Sequence, residues 1–270
     1  MTTSLPRCTR IVRAVNESAK VRTLTLDASI EAEPGQFVMA WLPGVDERPF
    51  SLVDIDPVVL TIARVGHFTE AVHLLRAGER LWVRGPLGRP FTLPEPTPPL
   101  SPPQAGGRGV IAHSEGLPDL SSPQAEGRVL MVAGGYGVAP LHFLARSAIA
   151  AGWQATAVIG ARSAADVIFA GRFRTLGASV TITTDDGSMG EAGLATDAAA
   201  RLVDQDGYAA LYACGPEPML EAVERLARTR KLPAQLSFER AMRCGFGVCG
   251  TCSRLGWLVC RDGPVLTIEP

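Results

Sequence analysis

The stretch RVLMVAGGYGVAP, residues 128–140, decides how this chain is read. An apolar run ends in glycines and gives way to a helical pattern at Pro140, the strand-to-helix turn of a βα unit. Glycines at Gly134, Gly135 and Gly137 let the backbone approach a pyrophosphate closely. The helix N-terminus adds free N–H groups and a positive dipole end. The turn is not the complete G-x-G-x-x-G fingerprint, because Val138, Ala139 and Pro140 follow Gly137. Taken alone, it can be only a turn.

Toward the C-terminus the alternation repeats. QATAVIGA (154–161), a helix around 164–175, ASVTITTDDG (178–187), a helix near 195–204 and YAALYACG (208–215) follow in order. A long helix then begins at Pro216, with Met219, Val223 and Leu226 spaced along one face. This pattern predicts a doubly wound parallel α/β domain over 128–233. Ligands of such sheets bind outside the carboxyl ends of the strands. Cys214 and Gly215 of YACGPEPML (212–220) are therefore expected to face the same crevice as the 133–140 turn. Asp185 of TTDDGS (183–188) lies on that edge too. For Cys214, a buried small residue and a contact to a reactive ring are both open.

Toward the N-terminus the rhythm changes to short strands, RTLTL, QFVMAWL, VVLTIA and RLWVRG. The one helical pattern there is TEAVHLLRAG (69–78), with Thr69 as its expected N-cap and Gly78 as its end. A small antiparallel β-barrel over 1–93 is the predicted fold. In RPFSL (48–52), Arg48 can fork onto a phosphate, Ser51 can hydrogen-bond one, and Phe50 can stack on a flat cofactor. By itself the segment is equally an ordinary strand edge. Residues 94–127 are rich in Pro, Gly, Ser and Gln, and LSPPQAGGR (100–108) nearly repeats as LSSPQAEGR (120–128). That composition predicts a mobile linker or surface insertion without chemistry.

The end of the chain, 234–270, holds four of the six cysteines in C-x4-C-x2-C-x7-C spacing, at Cys244, Cys249, Cys252 and Cys260. Gly245, Gly247 and Gly250 let the loop wrap closely and aim N–H groups inward. A structural zinc site is the plain alternative, but such sites pair two short knuckles and only one is present here. The x4–x2 spacing matches the binding loop of plant-type 2Fe–2S ferredoxins. Cys8 reads as an incidental thiol.

The totals agree with an intracellular redox protein. The chain has 270 residues, 46% of them apolar, and a net charge of −1, so nothing points to nucleic acid. No leader-like apolar stretch opens it, and no run reaches the ~18 residues of a membrane span. A cytoplasmic location is expected, where cysteines serve metal or redox chemistry rather than disulfides. Eight Arg and Lys residues against Glu239 and Asp262 make 225–263 basic. That is either a solvated face or a docking surface.

The order of motifs resembles the ferredoxin–NADP reductase superfamily. Within it, the chain is most similar to electron-transfer subunits of NAD-dependent (B-type) dihydroorotate dehydrogenases. The resemblance implies FAD in the barrel, a nicotinamide nucleotide (NAD) on the parallel domain, and a 2Fe–2S cluster near the C-terminus. By position, Arg48, Pro49, Phe50 and Ser51 would hold the flavin, and Ile62, Ala63 and Arg64 would line its phosphate region. Phe68 and Thr69 would stand where many members carry Gly–Thr. Cys244, Cys249, Cys252 and Cys260 would be the cluster ligands. The implied partner is an FMN-containing dihydroorotate dehydrogenase catalytic subunit, in a heterotetramer of two of each chain. The same cofactor set could serve a hydrogenase or sulfite reductase, and a scaffold with structural zinc is the remote alternative. TTDDGS is hostile to a 2′-phosphate and favours NAD, whereas Arg162 argues for NADP. No general acid–base pair stands out, which suits electron transfer.

Overall fold

The structure, a computed structural model, describes residues 5–95 and 127–269. Strands β1 (Arg7–Asn16), β2 (Val21–Leu26), β3 (Phe37–Leu42), β4 (Asp46–Ile55), β5 (Val58–Ala63) and β6 (Arg80–Leu87) form a closed antiparallel barrel, ordered β1-β2-β5-β4-β3-β6. Closure leaves no unpaired sheet edge. Leu24, Leu26, Val38, Ala40, Leu52, Leu60, Ile62 and Leu81 fill its interior. Helix α1 (His67–Leu74) adds Phe68 and Val72 to that core. Thr69 does not cap α1 from outside; it sits in the first turn. Its hydroxyl accepts from the backbone N–H groups of Val65 at 2.9 Å and Gly66 at 3.0 Å. This is the N3 half of a capping box, with glycine in the cap position itself. The helix also ends at Leu74, short of Gly78.

The second body alternates β7 (Arg128–Gly134), α2 (Val138–Ala150), β8 (Gln154–Ala161), α3 (Ala170–Thr175), β9 (Ser179–Thr184), β10 (Glu191–Ala192), α4 (Ala195–Gln205), β11 (Ala210–Cys214), α5 (Glu217–Arg230) and β12 (Ala234–Ser237). The cysteine region adds β13 (Ser253–Arg254), β14 (Trp257–Leu258), α6 (Val259–Asp262) and β15 (Val265–Ile268). The main sheet runs β10-β9-β8-β7-β11-β12-β15, parallel throughout except β15, which pairs antiparallel with β12. Successive strand residues serve opposite faces. Val129, Met131 and Ala133 pack under α2 and α3, while Leu130 and Val132 pack under α4 and α5. The fully buried residues of α5 are Leu220, Val223 and Ala227. Of the expected Met219–Val223–Leu226 face, Val223 is among them, and Met219 and Leu226 pack partly buried against the same cluster. Met219 also lies against Gly134 and Gly215.

The segment expected to be a separate C-terminal piece, 234–270, is tied into the sheet at both ends. Ala234, Leu236 and Ile268 bury in the same apolar cluster as α5, so β12 and β15 cannot leave the domain without exposing it. The barrel is docked just as firmly. Phe143 of α2 inserts into the barrel core, Arg146 pairs with Asp54 at 2.6 Å, and Arg172 pairs with Glu17. Apart from residues 94, 95 and 127, the insertion read at 94–127 lies outside the described residues. Among the described residues no helix is long and apolar enough to cross a membrane.

Candidate cofactor cleft and cysteine centre

A cleft of about 350 Å³ opens where the barrel, the glycine turn and the segment after β12 meet. Pro49, Phe50 and Ser51 of β4, Thr61 and Ala63 of β5, and Thr69 of α1 form its barrel wall. Tyr136, Ala139 and Pro140 form the opposite wall, with residues 237–242 and Pro264 behind. Phe50 is held flat by stacking on Phe68, ring centroids 6.0 Å apart and planes 26° apart. Phe68 is thus a buried prop for a cleft residue, not itself a lining one.

The other anticipated residues are placed differently. Ile62 is fully buried in the barrel core, so only its backbone can serve a ligand. Its strand alternates, and the inward position falls on Ile62 while Thr61 and Ala63 turn to the cleft. Arg64 is exposed, and Arg48 pairs with Asp46; neither lines the cleft. Asp185 is exposed at the carboxyl end of β9, two strand positions from β7. Its neighbour Asp186 is the structured carboxylate of that loop, accepting from the Ser188 hydroxyl at 2.6 Å.

The glycine turn and the Cys214–Gly215 loop pack against each other, but Gly134, Gly135, Gly137, Cys214 and Gly215 are not among the residues that line the cleft. A Cβ on Gly137 would lie 2.5 Å from the Cys214 carbonyl carbon and 3.0 Å from the Gly215 nitrogen. A Cβ on Gly215, which sits at φ +158°, would lie 2.9 Å from the Gly134 Cα. Cys214 is buried, and burial, reinforced by Glu239, pushes its thiol well above the usual range.

Two residues that the sequence reading did not single out stand in the cleft, Tyr136 and Glu239. Glu239 keeps open surface along the cleft but protein surrounds it elsewhere. That enclosure governs its charge, because the walls keep bulk water from solvating the carboxylate on its other sides. Burial pushes its carboxyl up to about 7, and its charge in turn raises the Tyr136 phenol. A carboxyl raised in the folded state binds its proton more tightly there than in the unfolded chain. Its contribution therefore costs stability as pH rises from the ordinary 4.5 to about 7. Glu239→Gln is expected to gain in melting temperature over the native chain at pH 8 and not at pH 4.5. An equal gain at both would remove Glu239 as the titrating group.

Beyond the cleft lie the four thiols. Among the described residues no three Cys, His, Asp or Glu groups converge on one ion position. The cysteines fall into two pairs instead. Cys252 and Cys260 are buried with sulfurs 3.2 Å apart, and the Cys260 N–H points to Cys252 Sγ at 3.4 Å. Cys249 is exposed and Cys244 half-buried, and the N–H groups of Val248 and Cys249 point to Cys244 Sγ at 3.3 and 3.4 Å. Gly245 and Gly247 turn this loop at φ +76° and +89°, conformations that other residues adopt at a cost. A two-iron cluster takes two thiolates on each iron, whereas a single zinc takes all four. The two-by-two division fits the cluster. The outer pair is also prepared as thiolate: the Thr251 hydroxyl and backbone N–H groups bring Cys249 to about 6. Burial beside Cys252 pushes Cys260 up to about 12, so metal entry must displace its proton.

The inner pair is not isolated from the cleft. Cys252, Cys260 and Val259 share one buried apolar cluster with Phe37, Met39 and Met242, and Phe37 and Met242 line the cleft. The basic residues of 225–263 are largely spent inside the chain. Arg240 and Arg254 both pair with Glu217, Arg228 with Glu224, Arg230 with Asp204 and Arg261 with Asp262.

A barrel with a cleft against a doubly wound sheet defines a ferredoxin–NADP reductase-like oxidoreductase. Residues 131–225 match the family described as oxidoreductase NAD-binding domain. A solved structure titled as an NADH-dependent reduced ferredoxin-NADP oxidoreductase, studied for flavin-based electron bifurcation, superposes with TM-score 0.78 at 27% identity, over 99% of this chain and 90% of that one. A protein of Methanocaldococcus jannaschii is 35% identical over 96% of this chain and 89% of its own length; one of Thermococcus kodakarensis is 39% identical over 92% and 91%. Both carry the name "probable dihydroorotate dehydrogenase B (NAD(+)), electron transfer subunit". The chain belongs to that family of electron transfer subunits.

Proposed function

We propose that this chain carries electrons between an FMN-containing dihydroorotate dehydrogenase catalytic subunit and NAD+, through FAD in the cleft and a 2Fe–2S cluster at the four cysteines. Bound there, the nicotinamide supplies hydride chemistry, the cluster single-electron chemistry and the flavin the conversion between them. The observation that carries the reading is the single apolar cluster joining Phe37 and Met242 of the cleft to Cys252 and Cys260. It joins the two proposed cofactor positions through buried apolar side chains.

The chain's own residues divide the work. Phe50, backed by Phe68, offers a flat apolar face, and Ser51 and Thr69 offer hydroxyls beside it. Tyr136 lines the opposite wall and would adjoin the bound cofactors, and the N-terminus of α2 offers its dipole to phosphate. Exposed Cys249 and half-buried Cys244, flanked by exposed Phe246, Val248 and Leu255, would meet the catalytic subunit. Dihydroorotate would bind on that subunit, in an assembly of two of each chain.

The test is an anaerobic preparation of the chain assayed for flavin, iron and zinc and titrated with NADH. Bound FAD and two irons, both bleached by NADH, with no dihydroorotate oxidation by the chain alone, is the expected result. Zinc without flavin would overturn the proposal, as would dihydroorotate turnover without a partner.

A further inference from the structure

We infer that Arg84, on the barrel, is a positioning residue that fixes the outer cysteine pair and sets the charge beside it. The inference rests on the cluster assigned above. Arg84 is the cross-strand partner of Met39, and Met39 is the residue on which Gly245 of the cysteine loop packs. Its side chain is only 12% exposed. Nε and Nη2 donate to the two carboxylate oxygens of Glu47 at 2.7 and 2.8 Å, a bidentate fork that locks the guanidinium plane. The same Nη2 donates to the carbonyl oxygen of Cys244 at 2.7 Å, across 160 residues of sequence. The exposed ring of Phe246 lies 5.6 Å from the guanidinium carbon. One barrel side chain thus holds the carbonyl of the first ligand and the aromatic two residues later.

The order of charges matters as much as the hold. Arg84 stands between the Glu47 carboxylate and the cysteine loop, so the cation is the nearer charge. A reduced cluster carries one more negative charge than an oxidised one. Net charge and hydrogen bonding around the ligands are the protein's levers on its potential. A near cation favours the reduced form, and the carboxylate behind it partly offsets that. Removing Arg84 should therefore lower the cluster potential, and removing the charge of Glu47 should raise it. A purely structural clamp predicts something else. Loss of either partner would loosen the same loop and shift the potential in one direction, or not at all.

The experiment is a redox titration of the full chain followed by the electron paramagnetic resonance signal of the reduced cluster. It compares the native chain with Arg84→Met, Arg84→Lys and Glu47→Gln, with iron and flavin measured on each. For Arg84→Met the reduced-to-oxidised ratio at fixed ambient potential should fall about tenfold, equivalent to about 59 mV for one electron. Glu47→Gln should shift it upward. Arg84→Lys should keep the native potential but lose iron faster to a chelator, since lysine has charge without the fork. Flavin content should be unchanged in all three, because neither residue lines the cleft. Shifts of the same sign for Arg84→Met and Glu47→Gln, or no shift in either, would overturn the inference while leaving the cluster in place. If Arg84→Met retains no iron, Glu47→Gln decides alone, an upward shift supporting the inference and any other result overturning it. A native chain without a cluster would overturn the cofactor assignment and this inference with it.

Discussion

Cys252→Ser is expected to cut electron delivery to the catalytic partner by at least about a hundredfold while NADH still reduces the flavin. Outer-shell groups around metals already cost roughly 10–100-fold when altered, and Cys252 is a proposed ligand itself. With Cys260, it is also where the proposed cysteine centre adjoins the cleft. Its sulfur lies 3.2 Å from that of Cys260, inside the apolar cluster that contains Phe37 and Met242. Serine matches the thiol in shape, so the fold should persist and the defect should be chemical. The cleft walls contain no cysteine, so flavin retention and its bleaching by NADH should stay near native. Anaerobic stopped-flow reduction by NADH, alone and with the catalytic subunit, separates the two halves. Native partner-linked rates in a Cys252→Ser chain that had lost its iron would refute the proposed path. Loss of both rates would show that Cys252 matters to the fold rather than to transfer.

Much of this architecture could be read from local pattern. The switch from period-two strands to strand–helix alternation marks the passage from barrel to doubly wound sheet, because each period reports which face a residue must bury. The cysteine spacing brings the thiols into one region for a similar reason: short loops limit how far apart they can lie. What escaped the reading depends on long-range placement. Glu239 is an ordinary glutamate after a short strand until β12 carries it against the barrel, where enclosure rather than a neighbouring charge raises its carboxyl. Arg84 lies in RLWVRG, which reads simply as a strand, and nothing local signals that its partner is the Cys244 carbonyl. The return of the chain from the cysteines into β15 was hidden in the same way. A four-residue strand carries too little periodicity to announce itself. Ile62 shows the opposite limit. Alternation alone would have turned it inward, but resemblance assigned it by motif position.

The glycine turn offers the second large effect, because two of its glycines are required for opposite reasons. Gly135 sits at φ +55° with nothing within 4 Å of where a Cβ would stand. Alanine there meets only the left-handed backbone penalty, roughly 1–2 kcal/mol. Gly137 has helical angles, φ −59° and ψ −11°, that any residue accepts. Its constraint is space: a Cβ would come within 2.5 Å of the Cys214 carbonyl carbon, and the obstructing atoms are backbone. That carbonyl belongs to β11, paired in register with β7 through Cys214 and Ala133, so it cannot swing aside as a side chain would. Overpacking at such a point costs about 1–3 kcal/mol or more, and here relief comes only by moving the N-terminus of α2 away from the crevice. Gly137→Ala should therefore lower the melting temperature more than Gly135→Ala and reduce the rate of flavin reduction by NADH at least tenfold. Dithionite should still reduce the flavin normally, since Phe50, Ser51 and Thr69, its proposed contacts, lie on the barrel side. Equal losses in the two variants would mean that backbone conformation, not the approach of the two loops, governs the nucleotide site.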